Sequence, residues 1–514
     1  MNGADGLITT LFDAGVEVCF ANPGTSEMQL VAAIDKHPRM RAVLCLFEGV
    51  ATGAADGYGR MAGKPAATLL HLGPGLGNGL ANLHNARRAR SPVVNIVGDH
   101  ATGHLKYDAP LTSDIAGIAA PVSGWVRKSS SVDGLAADGA AAVAAAMDYP
   151  GRVATLIVPA DHAWTEAKGP APAVKPAAPA KPAPSFIEKA AAALKSGEPA
   201  ALFLGGMALR AEALEEAGRI AAASGARLLC ETFPARLQRG AGRVPVERLP
   251  YFGEMAADVL KDFRHLIMVG AKPPVAFFAY PGKPGWLSPD DAAITTLASP
   301  REDALAALRA LAKALDAPAG HNRAQAAFAP PVAAGKLDPA GIGSVLAALM
   351  PENAIVSDEA ATAGLALFPM TAGAPRHDWL TITGGAIGQG LPVGAGAAIA
   401  CPGRKVICLE ADGSAMYTVQ ALWTMARENL DVTTIIVNNG SYAILNIELA
   451  RVGVANPGPK ALSMLDLTNP PIGWTAISEG MGVPAARAET VEEFRSALAE
   501  ALAHKGPRLV EAVI

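Results

Sequence analysis

EADGSAMYTVQALWTMARENLDVTTIIVNNGSY, residues 410–442, decides how the chain is read. VICL just before it (406–409) and TTIIV within it (433–437) are short apolar runs that read as buried strands. The stretch between them, through Trp423 and Met425, reads as one long amphipathic helix. The result is a βαβ unit with a carboxylate, Asp412, after its first strand and two carboxamides, Asn438 and Asn439, after its second. Ligands of parallel sheets collect beyond the carboxyl ends of the strands. A carboxylate, an amide oxygen and a loop carbonyl gathered there form a hard, oxygen-only donor set. It suits Mg²⁺, which keeps water and phosphate oxygens in its remaining positions. The helix opening at Gly413 turns its N-terminal amides to the same place, where they can receive a phosphate. An ordinary βαβ unit with Asn-Gly turn chemistry would share these residues, so the rest of the chain has to decide.

Working outward, the same alternation recurs three times. Residues 2–165 run helix (GADGLITTLFDAGV), strand and loop (EVCFANPG), strand (MRAVLCLFE), small-residue helix (GVATGAADGYGRMAG), strand with a Gly-rich loop (AATLLHLGPG) and strand (SPVVNIVGD). This pattern predicts a doubly wound parallel sheet. From Ala167, AKGPAPAVKPAAPAKPAPS is almost wholly Ala, Pro and Lys and reads as an extended linker. Strand-like runs return in PAALFLGG, ARLLCETF and HLIMVGA. A second loose stretch, HNRAQAAFAPPVAAGKLDP from His321, precedes the third α/β block. The expected organisation is three doubly wound units, at 1–166, 186–325 and 336–514, with 167–185 as linker.

Composition narrows the classes. A length of 514 residues suggests roughly three domains. A hydrophobic content of 51% with 18% charged residues fits layered α/β cores rather than disorder. A net charge of −4 gives no electrostatic argument for nucleic acid. No apolar run reaches spanning length and the N-terminus lacks a signal-peptide pattern, so no membrane partner and a cytoplasmic location are expected. The five scattered cysteines form no CxxC pair, which argues against zinc and a disulfide framework. Two nucleotide motifs fail on spacing. Gly73 and Gly75 lack the third glycine of the dinucleotide fingerprint, Asn78 standing there, with Asp99 in the place of the ribose acid. GRMAGKP has Tyr58 and Pro65 where a P-loop needs Gly and Ser or Thr.

Asp412-Gly413-Ser414, the spacing to Asn438-Asn439 and the three α/β blocks resemble the thiamine-diphosphate-dependent enzymes. The chain is similar to benzoylformate decarboxylases and acetolactate synthase large subunits, with Ala411 replacing the first Gly of the usual GDG. The resemblance implies a pyrimidine-binding unit first, a middle unit second and a diphosphate-binding unit third. It implies a thiamine-diphosphate- and Mg²⁺-dependent 2-oxo acid decarboxylase or carboligase, acting on a small 2-oxo acid. The assembly implied is a homodimer or homotetramer with the active site at the subunit interface. A non-catalytic homologue serving as a structural or regulatory subunit is the alternative. Nothing between 186 and 325 is a clear flavin signature, which argues against the FAD of acetolactate synthases.

The same resemblance assigns residues. Asp412, Asn439 and the Ser441 carbonyl would hold Mg²⁺, and Gly413, Ser414 and Thr362 would reach the diphosphate. Glu48, readable by itself as an acid at a helix N-terminus, matches the glutamate on the pyrimidine N1′. Ile387 is the apolar wedge under the cofactor, and Gly385 offers its carbonyl to N4′. Gly390, Gly394 and Gly396 suit close helix–strand packing. His71 matches an active-site histidine. In ANPGTSEMQ, from Ala21, Thr25 or Ser26 would face substrate, although hydroxyls here also suit helix capping. The loop with His100, His104 and Leu111 lines the cavity in related enzymes. In GAKPPVAFFAYPG, Phe277 takes the place of a second catalytic histidine, with Phe278 beside it, and AILNIELARVG brings Leu445 and Glu448 toward the substrate.

Overall fold

The computed structural model describes residues 1–320 and 323–514, so the first two residues of the second loose stretch, His321 and Asn322, lie outside the described residues. The first sheet has six parallel strands in the spatial order Arg41–Leu44, Val18–Asn22, Ala66–Leu70, Val93–Asp99, Val153–Pro159, Trp125–Lys128. The second has five, in the order Glu247–Arg248, Arg227–Cys230, Ala200–Leu204, His265–Val269, Ala293–Ala298, again all parallel. The third has seven: Ala485–Ala488, Arg508–Val513, Val432–Asn438, Val406–Ala411, Ala354–Glu359, His377–Thr381 and Leu237–Arg239. Central strands such as Val93–Asp99 and Val153–Pro159 are buried along their whole length because helices cover both faces. All five cysteines are free. Among the described residues no helix is long and apolar enough to cross a membrane.

Three features depart from expectation. Leu237–Arg239 comes from the middle stretch, yet it closes the third sheet as an antiparallel edge. The Gly-rich segment after Leu70 is the start of the helix Leu72–Ala89 rather than a loop. The long helix after Asp412 is broken into Asp412–Ala415, a 3₁₀ turn Met416–Thr418 and Ala421–Arg427. The break lets Thr418 turn its hydroxyl onto the Gly388 carbonyl at 2.9 Å. Residues 167–183 carry no helix, and a helix starts at Pro184.

Small residues join the first unit to the third. The helices Glu48–Ala62 and Gly390–Ala400 cross so closely that a Cβ on Gly57 would lie 2.1 Å from the Val393 carbonyl oxygen. A Cβ on Gly396 would lie 1.8 Å from the Ala54 carbonyl oxygen. Gly396 therefore serves helix–helix contact. Gly394 serves helix–strand contact, its would-be Cβ 2.2 Å from Cys408 Sγ. One buried guanidinium ties three segments: Arg60 binds Asp56 with two N–H groups and also donates to the Ala235 and Thr381 carbonyls.

The closing strand sets Arg239 opposite His377. His377 is buried, with Nδ1 on the Pro375 carbonyl at 2.7 Å. Burial, then the Arg239 charge, hold its pKa down at about 3. An unfolded histidine takes up its proton near pH 6.5, so the unfolded state gains protons first and the fold loses stability as pH falls. His377→Asn keeps a donor for Pro375 but cannot titrate. Between pH 7 and 5 the wild type should lose about 2 kcal/mol more than this variant, read as denaturation midpoints. Parallel slopes would remove His377 as the cause.

Candidate functional site

Two clusters stand at the carboxyl ends of the first and third sheets. In the first, Glu48 opens the helix Glu48–Ala62 and is buried, its Oε2 accepting from Asn78 Nδ2 at 3.0 Å. Its Oε1 points at Gly75, 3.2 Å from where a Cβ would stand, and His71 Cβ lies 3.3 Å from the same point. Gly75 is thus a close approach of helix backbone to the Glu48 carboxylate. His71 Nδ1 is 2.7 Å from Oε2 of Glu27, which is fully buried and also accepts from the Gly24 amide at 2.9 Å. Burial raises the Glu27 carboxyl, and the His71 bond works against that rise. With Nδ1 held, Nε2 is the ring nitrogen left for a proton of a bound molecule.

Glu27, rather than Thr25 or Ser26, closes the turn after Val18–Asn22, so the capping expected of those hydroxyls is not made. Thr25 is exposed and Ser26 half-buried. Asp99 is a structural acid, paired with Lys128 at 2.6 Å.

In the third unit, Asp412 is 1% exposed. Its Oδ1 accepts from the Gly413 amide at 3.0 Å and its Oδ2 from the Gly440 amide at 2.9 Å, with each oxygen keeping lone pairs for a cation. Burial raises its pKa and the backbone N–H bonds counter that. Asn439 Oδ1 accepts from the Ser441 amide at 3.0 Å. A Cβ on Gly413 would sit 2.4 Å from the Tyr442 ring, so any side chain there would displace that ring. Ser414 is buried, with its hydroxyl on the Ala411 carbonyl. Among the described residues no group of three or more His, Cys, Asp or Glu side chains could hold a metal ion. A cation here would rest on one carboxylate with amide and carbonyl oxygens, the donor set of Mg²⁺.

The loop carrying Gly385 and Ile387 is clamped from both sides. Gly385 has φ +74°. Asn85 exchanges two bonds with the Ala386 backbone, and His84 meets the Gly384 carbonyl. Asn82 Nδ2 donates to both Gly388 O (3.1 Å) and Gly49 O (2.8 Å), which joins this loop to the residue after Glu48 within one chain. From beneath, the buried Glu359 takes the Gly388 and Gly390 amides. Glu410 faces it across the ladder with neither oxygen hydrogen-bonded, and burial together with the Glu359 charge push its carboxyl well above the usual range. Ala361 has φ +46°, and Thr362 beside it is half-buried.

Farther out, Phe277 is 43% exposed and meets the Phe233 ring edge-on (centroids 5.2 Å apart) and the Tyr251 ring at a tilt (5.3 Å). The helix Ala443–Arg451 follows the Asn439–Ser441 turn. Its Glu448 accepts from the Tyr280 hydroxyl, its Arg451 pairs with Glu254 at 2.6 and 2.9 Å, and its Leu445 is exposed. Glu448 also pairs with Arg451 at 3.5 Å, so it is tied to both Tyr280 and Arg451. Glu27, Asn82, Asn85 and Glu359 carry no site role in the sequence-based expectation, and Asn78 enters it only as the residue in the place of a third glycine; the one local signal for Glu27 is its position in the turn after the strand Val18–Asn22.

Two family models match the chain: thiamine pyrophosphate enzyme, N-terminal TPP binding domain, over residues 1–118, and thiamine pyrophosphate enzyme, C-terminal TPP binding domain, over residues 362–512. A Mycobacterium tuberculosis protein named "Putative acetolactate synthase large subunit IlvX" is 56% identical over 519 residues, covering 100% of this chain and 99% of its own length. Benzoylformate decarboxylase of Pseudomonas aeruginosa is 28% identical, covering 97% of this chain and 96% of its own. Among solved structures, a thiamine diphosphate-dependent 4-hydroxybenzoylformate decarboxylase from Rhodococcus jostii RHA1 superposes with a TM-score of 0.86 at 25% identity, covering 99% of this chain and 98% of its own.

Proposed function

This chain belongs to the thiamine pyrophosphate enzyme family, and from that premise we propose that it is a thiamine-diphosphate- and Mg²⁺-dependent 2-oxo acid decarboxylase or carboligase. The observation that carries the reading is the oxygen-only set of Asp412, Asn439 and Ser441 beyond adjacent parallel strands, with buried Asp412 already oriented by two backbone amides. When bound, the cofactor supplies the carbon nucleophile and electron sink that loss of CO₂ from a 2-oxo acid requires. Asp412, Asn439 and the Ser441 carbonyl would hold the metal, and Gly413, Ser414 and Thr362 would orient the diphosphate. Glu48 would hold a proton at N1′ of the pyrimidine, Ile387 would prop the two rings, and Gly385 would accept from N4′. His71, fixed by Glu27, would move a proton at the substrate. Glu48, Asp412 and Asn439 are all present, which disfavours a non-catalytic subunit. Purified protein with thiamine diphosphate, Mg²⁺ and a panel of small 2-oxo acids should release CO₂ and yield an aldehyde or a hydroxyketone. No consumption of any acid would refute the reading.

A homodimer or homotetramer with the site between subunits is part of this proposal. Met416 and Tyr417 on the turn after Asp412, and Leu445 and Ile447 on the helix after Ser441, are exposed apolar side chains. Large apolar side chains left in water next to a site suit a contact surface.

Phe277 tunes the outcome. A positioned acid contributes roughly 10²- to 10⁴-fold to a proton transfer, and an aromatic wall of Phe277, Phe233 and Tyr251 supplies none. Protonation to the aldehyde should be slow, a second carbonyl should compete, and a small donor should be preferred over a bulky aryl one. Phe277→His should shift the products toward aldehyde, read by chromatography. An unchanged ratio, or rapid conversion of benzoylformate to benzaldehyde alone by the wild type, would defeat this.

A further inference from the structure

The turn that carries Asn439 and Ser441 has a support in the last strand of the chain. Glu511 lies in Arg508–Val513 and is 4% exposed. Its Oε1 accepts from Asn438 Nδ2 at 2.7 Å, across parallel strands in which Asn438 is paired with Val513. A carboxylate can only accept, so it fixes which end of the Asn438 amide faces it. The amide oxygen is then left for the Gly440 amide, which it meets at 3.0 Å. That same Gly440 N–H is shared with Asp412 Oδ2. Gly440 has φ +62°, where a side chain is strained, and a Cβ there would stand 2.7 Å from Thr468 Cγ2, so the position is built for glycine. The main chain adds the Ile514 amide on the Asn438 carbonyl at 3.0 Å. The route runs Glu511, Asn438, Gly440, Asp412, and Asn439 and Ser441 flank its third member.

We infer that Glu511 is a positioning residue for the cation turn: by locking the Asn438 amide it sets Gly440, and so the placement of Asp412, Asn439 and Ser441 toward one ion. This rests on the reading of that turn as the Mg²⁺ site. Without Glu511 the amide can rotate and present its NH₂ to the Gly440 N–H, two donors facing each other.

The test is Mn²⁺ binding, standing in for Mg²⁺, by electron paramagnetic resonance on the full-length protein with thiamine diphosphate, alongside melting curves. Glu511→Ala should raise the Mn²⁺ dissociation constant about 10- to 100-fold, the range for residues behind a metal ligand, while saturating Mn²⁺ restores kcat. Glu511→Gln can still accept from Asn438 through its amide oxygen and should bind Mn²⁺ within a few-fold of wild type. Asn438→Ala should reproduce the Glu511→Ala loss, and the double variant should be no worse than either single one, because both break one link. Asn438→Ala also keeps the test alive if Glu511→Ala folds poorly. A lower melting temperature with unchanged Mn²⁺ affinity would overturn the inference and leave Glu511 a packing residue, as would additive losses in the double variant. If the wild type itself binds neither Mn²⁺ nor thiamine diphosphate, the reading of the turn falls, and this inference with it.

Discussion

Asp412→Ala is expected to abolish binding of Mg²⁺ and thiamine diphosphate while leaving the fold intact. The carboxylate does two things at once. It is the charged member of the oxygen set, and it takes the Gly413 and Gly440 amides on separate oxygens. Losing a residue behind a ligand costs about 10- to 100-fold in metal affinity, so losing the ligand itself should cost more than about 100-fold. Asp412→Asn should fare little better. An amide has one accepting oxygen, so its NH₂ would meet the Gly413 or Gly440 N–H and push the turn away. The fold should survive because burial already penalises this charge. The readout is the thermal shift on adding cofactor and metal: ligand at 100 times its dissociation constant stabilises by about 2.7 kcal/mol. The wild type should show such a shift and the variant none. A variant that keeps normal cofactor affinity places the site elsewhere.

How far the sequence carries depends on the separation of the partners. Asp412, Asn438, Asn439 and Ser441 are legible because strand periodicity and turn chemistry put them at the ends of two neighbouring strands. The three-sheet architecture follows from the same alternation. Glu27 escapes notice because its partner His71 is 44 residues away, and only the order of strands in the first sheet brings Val18–Asn22 beside Ala66–Leu70. Glu511 escapes for the same reason, 73 residues from Asn438. The edge strand Leu237–Arg239 is three residues long and belongs by sequence to the middle stretch, so no local pattern assigns it to the third sheet. The glycines after His71 read as a loop by propensity, yet tertiary packing overrides propensity there: the helix Leu72–Ala89 is buried along one side, and its Gly75 lies against the Glu48 carboxylate.

Glu48→Gln is expected to slow exchange of the cofactor C2 proton by about 10²-fold or more while leaving cofactor binding to the third unit in place. Glutamine can still accept from Asn78, so the local contact of Glu48 survives. What is lost is a carboxylate able to hold a proton at N1′. Were Glu48 only a helix N-terminal acid, the variant would lose about 0.3–1 kcal/mol of stability and exchange would be unchanged. Hydrogen–deuterium exchange at C2, followed by NMR after acid quench, separates the two. The same variant tests the assembly. Glu48 stands in the first unit and Asp412 in the third. If they meet across a two-fold interface, each dimer has two sites and each site draws Glu48 from one subunit and Asp412 from the other. Mixing refolded Glu48→Gln and Asp412→Ala chains should then restore about a quarter of wild-type activity, since half the sites have an intact Glu48 and half of those an intact Asp412. If both residues act within one chain, every site in the mixture keeps one lesion and the mixture stays inactive. Inactivity of well-mixed dimers would sink the shared site, and unchanged C2 exchange would take Glu48 out of the chemistry.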